Sequence, residues 1–242
     1  MTLGNGDIDV ITTSELKQAL RSLTAVELES IADWLETVVE ESRYRTFHVR
    51  EAQPEYQSEE PLFMSWDEYL AFEEQSPYRH EYLNGAVYAM SGASLAHNRI
   101  AQELVVAFRS HLRGSPCEPF FLDAKLEIRA GRDRIMYYPD LMVSCRPEDR
   151  TDQSVRNPKL VVEILSKSTQ HIDRREKAMT YQRVEAIEEY VLIAQRQPRV
   201  IVHRRAEEWR PMLYSSLDAR VDFRSIGLQM PLAQIYEGTL GG

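Results

Sequence analysis

Apolar positions recur at helical spacing in two early stretches. Leu16, Leu20 and Leu23 mark one stripe, and Ala25, Leu28, Ile31, Leu35 and Val38 mark the next, the pattern of amphipathic helices. Thr24, with Glu27 three residues on, predicts a capping box for the second helix. The periodicity lapses over residues 45–61, where Pro, Gln, Ser and Glu accumulate, which predicts a linker. The chain is therefore expected to divide near residue 60, into a helical hairpin with its linker (1–60) and a main domain (61–242). So small a hairpin buries little area alone. It is expected to pack on the main domain, on a partner, or on a second copy of the chain.

In the main domain, Ser65 is a good N-cap for a helix reaching about Glu74. Residues 78–90 run from a helix end or strand into a turn at Asn84-Gly85 and then a short strand; Asn-Gly between apolar residues is a strong hairpin signal. Ile100, Leu104, Val105, Phe108 and Leu112 share one face of a helix over 95–112, which Gly114 and Pro116 end. Strands are expected at 120–129, 135–145 and 159–165. A helix follows over 171–189, then strands at 190–194 and 199–203 joined through Arg196-Gln197-Pro198, with edge strands at 209–214 and 220–230. This order predicts an α/β fold with a mixed central sheet flanked by helices.

Composition narrows the class. The 242 residues, 43% apolar and 28% charged, suit one well-buried domain plus an accessory piece. No apolar run approaches the roughly 20 residues needed to span a bilayer, and the acidic N-terminus lacks the regions of a signal peptide; a cytoplasmic protein is expected. Cys117 and Cys145 are too few for a disulfide framework and not spaced for zinc, so reduced thiols are expected. A net charge of −9 argues against nonspecific coating of nucleic acid. The acidity is uneven: residues 1–124 hold 9 Lys and Arg against 21 Asp and Glu, whereas residues 125–220 hold 19 against 15.

The weakly basic stretch also holds the candidate chemistry. Asp140 follows Pro139 at the start of an apolar strand, and Glu163 lies within Val161-Val162-Glu163-Ile164-Leu165. If those strands pair antiparallel, both carboxylates converge at one end of the sheet. A carboxylate in an apolar strand is costly unless paired or bound to a cation, and a divalent ion relieves the repulsion between two of them. Carboxylates and water suit Mg²⁺ or Mn²⁺ better than zinc. The plainer alternative is a Glu facing solvent or an Arg. Arg174, Lys177 and Tyr181 share one face of the next helix, from which a cation could reach back toward Glu163. Pairing of Lys177 with Asp173 is the alternative.

These residues carry a resemblance. Trp66-Asp67-Glu68-Tyr69, Arg79-His80-Glu81-Tyr82-Leu83-Asn84-Gly85, His97-Asn98-Arg99-Ile100, Tyr138-Pro139-Asp140 and Val162-Glu163-Ile164-Leu165-Ser166 stand in order. They are followed by Ser168-Thr169, Asp173-Arg174-Arg175-Glu176-Lys177, Tyr181 and Glu189-Tyr190. The set resembles the Uma-two family of restriction-endonuclease-type proteins, in the PD-(D/E)XK nuclease superfamily, over residues 62–238. The resemblance implies a restriction-endonuclease-like core and Mg²⁺ (or Mn²⁺) bound by Asp140 and Glu163, with the Ile164 carbonyl as a third ligand. It also places an acidic Glu81 at the edge of the metal site, on the first core helix. Leu165 stands where the superfamily has its lysine, and Lys177 is implied as the migrated replacement. Ala194 replaces a frequent Asp. The implied activity is hydrolysis of DNA, with Lys167, Arg174, Arg175 and His97 toward the nucleic acid. The rival expectation is a catalytically inactive nuclease-fold module that binds nucleic acid or a protein partner.

Overall fold

A computed structural model describes residues 62–90, 92–165 and 176–239, with a few isolated positions before them. The expected helical hairpin and linker lie outside the described residues. One compact unit runs from Glu59 to Gly242.

Its elements are β1 (Leu62–Phe63), α1 (Trp66–Gln75), β2 (His80–Leu83), β3 (Ala86–Ala89), α2 (Leu95–His111), β4 (Glu118–Phe121), β5 (Lys125–Ala130), β6 (Asp133–Tyr137) and β7 (Leu141–Ser144). Then come β8 (Ser154–Val155), β9 (Leu160–Leu165), α3 (Ala178–Arg183), β10 (Glu189–Ala194), β11 (Val200–Arg204), β12 (Pro211–Tyr214), β13 (Arg220–Phe223), β14 (Leu228–Pro231) and α4 (Leu232–Ile235). Local chemistry accounts for several boundaries. Ser65 and Glu68 close a capping box on α1. Asn84 (φ 48°) and Gly85 (φ 108°) make the tight turn between β2 and β3, where left-handed backbone matches strand twist.

The strands form two six-stranded sheets and a small hairpin. The first sheet runs β1-β3-β2-β6-β5-β8, the second β12-β11-β10-β9-β7-β4, and β13 pairs with β14. Within the second sheet β9 and β10 are parallel, as a crossover through α3 requires. Side-chain alternation then sorts the cores. Leu160, Val162 and Ile164 of β9 pack with Ile100, Leu104 and Phe108 of α2. Val161 and Leu165 point the other way, toward Leu126, Ile128, Ile135 and Tyr137 of the first sheet and Tyr181 of α3. Tyr82, Val87 and Met136, on the far face of the first sheet, meet Tyr69 of α1. Glu163 has the parity of Val161 and Leu165, so it enters the core between the two sheets.

Four expectations are corrected. Residues 120–129 are two strands in different sheets, divided at Leu122 (φ 60°). Residues 135–145 likewise divide at Tyr138-Pro139-Asp140; Pro139 has no N–H for a ladder, and there the chain crosses between sheets. The helix expected to reach residue 189 ends at Arg183, where Val184 turns extended (φ −82°, ψ 106°), while residues 171–175 lie outside the described ones. Cys117 and Cys145 are joined as a disulfide rather than reduced. With Glu118 opposite Ser144, the β4–β7 ladder sets the two cysteines face to face one step further on. Among the described residues no helix is long and apolar enough to cross a membrane.

A buried ion pair closes the side of the second sheet away from β4. Glu189 (1% exposed) accepts from Arg204 Nε (2.8 Å), from the Arg224 and Ser225 backbone N–H groups (3.0 and 2.9 Å) and from Ser225 Oγ (2.6 Å). This ties the β13–β14 hairpin to β10 and β11. The disulfide is open to a direct check. Thiol titration of the denatured, unreduced protein is expected to find no free cysteine, and two after reduction; two at the outset would return the pair to thiols.

Candidate active site

The antiparallel register of β7 and β9 sets Leu141 opposite Val162, and one step further Asp140 stands beside Glu163. The Ile164 N–H donates to Asp140 Oδ2 at 2.6 Å, fixing that carboxylate on the strand end. Convergence of the two acids, expected from the sequence, holds.

Lys177 is drawn into the same place. A π-type turn at Glu176 and Lys177 leads into α3 and aims the ammonium inward. Its Nζ lies 2.9 Å from Glu81 Oε1 and 3.2 Å from Glu163 Oε1, with 7% of its side chain exposed. It also sits 5.2 Å from the Tyr137 ring centroid, where the π face favours a cation. The Tyr181 hydroxyl, one helical turn on, donates to Glu163 Oε1 at 2.9 Å. Glu81 belongs to β2, not to a helix as expected; β2 lies between β3 and β6, and Glu81 points with Tyr137 into the inter-sheet core. Its Oε1 also accepts the Tyr138 N–H at 3.4 Å.

His97, expected toward nucleic acid, brings Nε2 to 2.8 Å from Asp140 Oδ1. Ser94 caps α2 by accepting the His97 N–H (3.1 Å) and donates its hydroxyl to Gln195 Oε1 (2.6 Å), just beyond β10. The first turn of α2 is thereby pinned to the carboxyl ends of the central strands. Lys167, Arg174 and Arg175 lie outside the described residues. Ile164 enters through its N–H; the role expected of its carbonyl concerns a metal alone.

Behind this cluster is a buried support that the sequence reading missed. Glu73 (1% exposed) accepts from the His80 N–H (3.1 Å) and from the Tyr138 hydroxyl (2.5 Å), and its Oε2 meets His80 Nδ1 at 2.9 Å. The Tyr69 hydroxyl donates to the His80 carbonyl at 2.8 Å. The network holds the start of β2 and the Tyr138-Pro139-Asp140 crossing together. A Glu on the inner face of α1 beside Tyr69 was the available signal.

Two carboxylates, Glu81 and Glu163, therefore face one ammonium, with Asp140 on the adjoining strand end beside His97, and the donor chemistry fits a hard divalent cation. Among the described residues no three His, Cys, Asp or Glu side chains form a ready cage, and Glu163 is turned to Lys177 and Tyr181. Carboxylate oxygens carry two lone pairs each, so these hydrogen bonds leave ligating capacity. Two clefts of about 400 and 380 Å³, sharing Lys125 and residues 151–154, contain none of Glu81, Asp140, Glu163 and Lys177, although Glu73 lines the first. They are open surface hollows.

Fold and cluster together define a restriction-endonuclease-like protein. A solved structure from Anabaena variabilis, titled a putative nuclease belonging to DUF820, superposes with a TM-score of 0.60 at 17% identity, over 72% of this chain and 98% of that one. The profile of the Uma2 family, described as "Putative restriction endonuclease", matches residues 66–233. Two Synechocystis proteins, each called uncharacterized, are similar: slr1290 at 34% identity over 72% of this chain and 92% of its own length, and sll1609 at 34% over 53% and 73%. The chain belongs to the Uma2 family.

Two outcomes follow from the geometry. Replacing Lys177 with Met leaves Glu163 buried without its ammonium, which costs about 3–5 kcal/mol. In metal-free denaturant unfolding, adding Glu163→Gln to Lys177→Met is expected to recover part of that loss; strictly additive losses would mean the pair is not coupled. Burial, then the neighbouring Glu163 charge, holds the Tyr181 hydroxyl well above its ordinary value, and burial pushes Tyr137 up to about 12. A raised folded-state value stabilises fully below the unfolded value of about 10 and is lost as pH rises through the folded one. Stability should therefore fall above about pH 10, and the tyrosinate absorbance of Tyr181 should emerge only with unfolding.

Proposed function

We propose that this chain is a divalent-metal-dependent endonuclease that hydrolyses DNA phosphodiester bonds, with Mg²⁺ or Mn²⁺ held by Asp140, Glu163 and the Ile164 carbonyl. The observation that carries the reading is the pairing of Lys177 with Glu81 and Glu163, one from each sheet, beside Asp140 on the neighbouring strand end. Membership of a family described as restriction endonuclease supports it, as does the general need of such nucleases for divalent metals.

A bound metal would activate water and polarise the phosphate. The chain's own groups have separable tasks. The Ile164 N–H holds Asp140 at one orientation on the strand end. The Lys177 ammonium, anchored by Glu81 and Glu163, positions the attacking water or offsets charge developing on the phosphate. Tyr181, kept protonated, donates to Glu163 and limits its rotation. Lys167, Arg174 and Arg175 are proposed to contact the DNA backbone, where cations position the duplex.

Plasmid and single-stranded DNA incubated with the purified protein and Mg²⁺ or Mn²⁺ test this. Cleavage is expected for the native chain, with loss of at least about 10²-fold in Asp140→Asn, Glu163→Gln and Lys177→Met. Cleavage that persists in either carboxylate variant overturns the assignment. Absent metal binding by a folded protein would instead favour the binding-module reading.

A further inference from the structure

We propose that His97 is a nitrogen ligand of the same metal, and that it makes this centre select Mn²⁺ and Co²⁺ over Mg²⁺. The inference rests on the metal-dependent reading above and adds a ligand and a preference to it. The first support is distance. His97 Nε2 and Asp140 Oδ1 are 2.8 Å apart. Adjacent donors around an octahedral ion with bonds of about 2.1 Å stand about 3 Å apart. The two atoms are thus spaced as neighbouring ligands with no movement of either backbone.

The second support is the way the backbone beneath the ring is held. His97 lies in the first turn of α2, and Ser94, which accepts its N–H, is bonded in turn to Gln195. The backbone that carries the ring is thus fixed by the helix cap and by the end of β10, and the ring itself meets Asp140. The third is access and charge. The side chains of His97 and Asp140 are 16% and 21% exposed, whereas those of Lys177 and Glu163 are 7% and 4% exposed. The His97–Asp140 edge is therefore where a hydrated ion reaches the cluster. Glu81, Asp140 and Glu163 together outweigh the Lys177 ammonium, so a dication arriving there is attracted. An imidazole in an otherwise oxygen donor set raises affinity for later divalent metals more than for Mg²⁺.

A hydrogen bond from His97 to Asp140 would orient the same carboxylate without ligating, and metal choice separates the two roles. Mg²⁺, Mn²⁺ and Co²⁺ are titrated calorimetrically into the native full chain and the His97→Ala and His97→Gln variants. A ligating His97 predicts that both variants lose roughly 10-fold or more in Co²⁺ affinity, lose Mn²⁺ affinity to a lesser extent, and change by less than about 3-fold for Mg²⁺. An orienting role predicts equal losses for all three metals in His97→Ala and their retention in His97→Gln, whose amide can still donate. That result would overturn the proposal. Electron spin-echo spectroscopy of Mn²⁺ on the native chain gives an independent readout: directly bound nitrogen is expected, and its absence also overturns the proposal. Failure of the underlying reading looks different. Then the native chain binds no metal, or binds it equally well as Asp140→Asn, and both readings fall.

Discussion

The ammonium of Lys177 joins the two sheets chemically. It reaches Glu81 on β2 of the first sheet and Glu163 on β9 of the second, at 2.9 and 3.2 Å, from a helix that packs between them. Each of these groups loses hydration on burial, and such pairs hold only when geometry and further hydrogen bonds offset that cost. Tyr181 and the Tyr137 ring supply those additions here. Because both acids point into the inter-sheet core, a shift of either sheet would leave a buried charge without its partner. The packing of the sheets and the shape of the site are thus one constraint.

The remaining architecture serves to deliver residues to that place. Asp140 arrives because Pro139 interrupts one long apolar run and lets the chain change sheets, with Glu73, His80 and Tyr138 locking the crossing. His97 arrives because α2 lays Ile100, Leu104 and Phe108 on the second sheet and leaves its first turn at the strand ends. On the other side, Glu189 and Arg204 hold the β13–β14 hairpin, where that hairpin supports the core beneath α2. Glu189 pairs with Arg204 away from the cluster, whereas around Lys177 the carboxylates Glu81 and Glu163 outnumber the ammonium.

Much of this was legible in the chain itself. The capping box at Ser65, the Asn84-Gly85 hairpin, the amphipathic α2 and the β9, β10 and β11 strands all follow from local rules, and the meeting of Asp140 with Glu163 follows once β7 and β9 pair antiparallel. Capping chemistry, turn conformation and side-chain periodicity act over a few residues, so the residues present decide them. The order of short motifs also marked the nuclease-like family over nearly the whole main domain.

What only the tertiary structure decided has a common cause. Alternation tells which face of a strand a residue occupies, but not which sheet the strand joins; hence Phe120 and Leu126, or Met136 and Met142, read as one strand when they belong to two sheets. The same limit hid the strand position of Glu81, the disulfide between Cys117 and Cys145, and the buried role of Glu73. It hid the partner of His97 as well, since a histidine at a helix start has no local signature for a carboxylate brought from a distant strand. Sequence periodicity determined the elements and one pair of acids, whereas the packing of two sheets against each other decided what those acids meet.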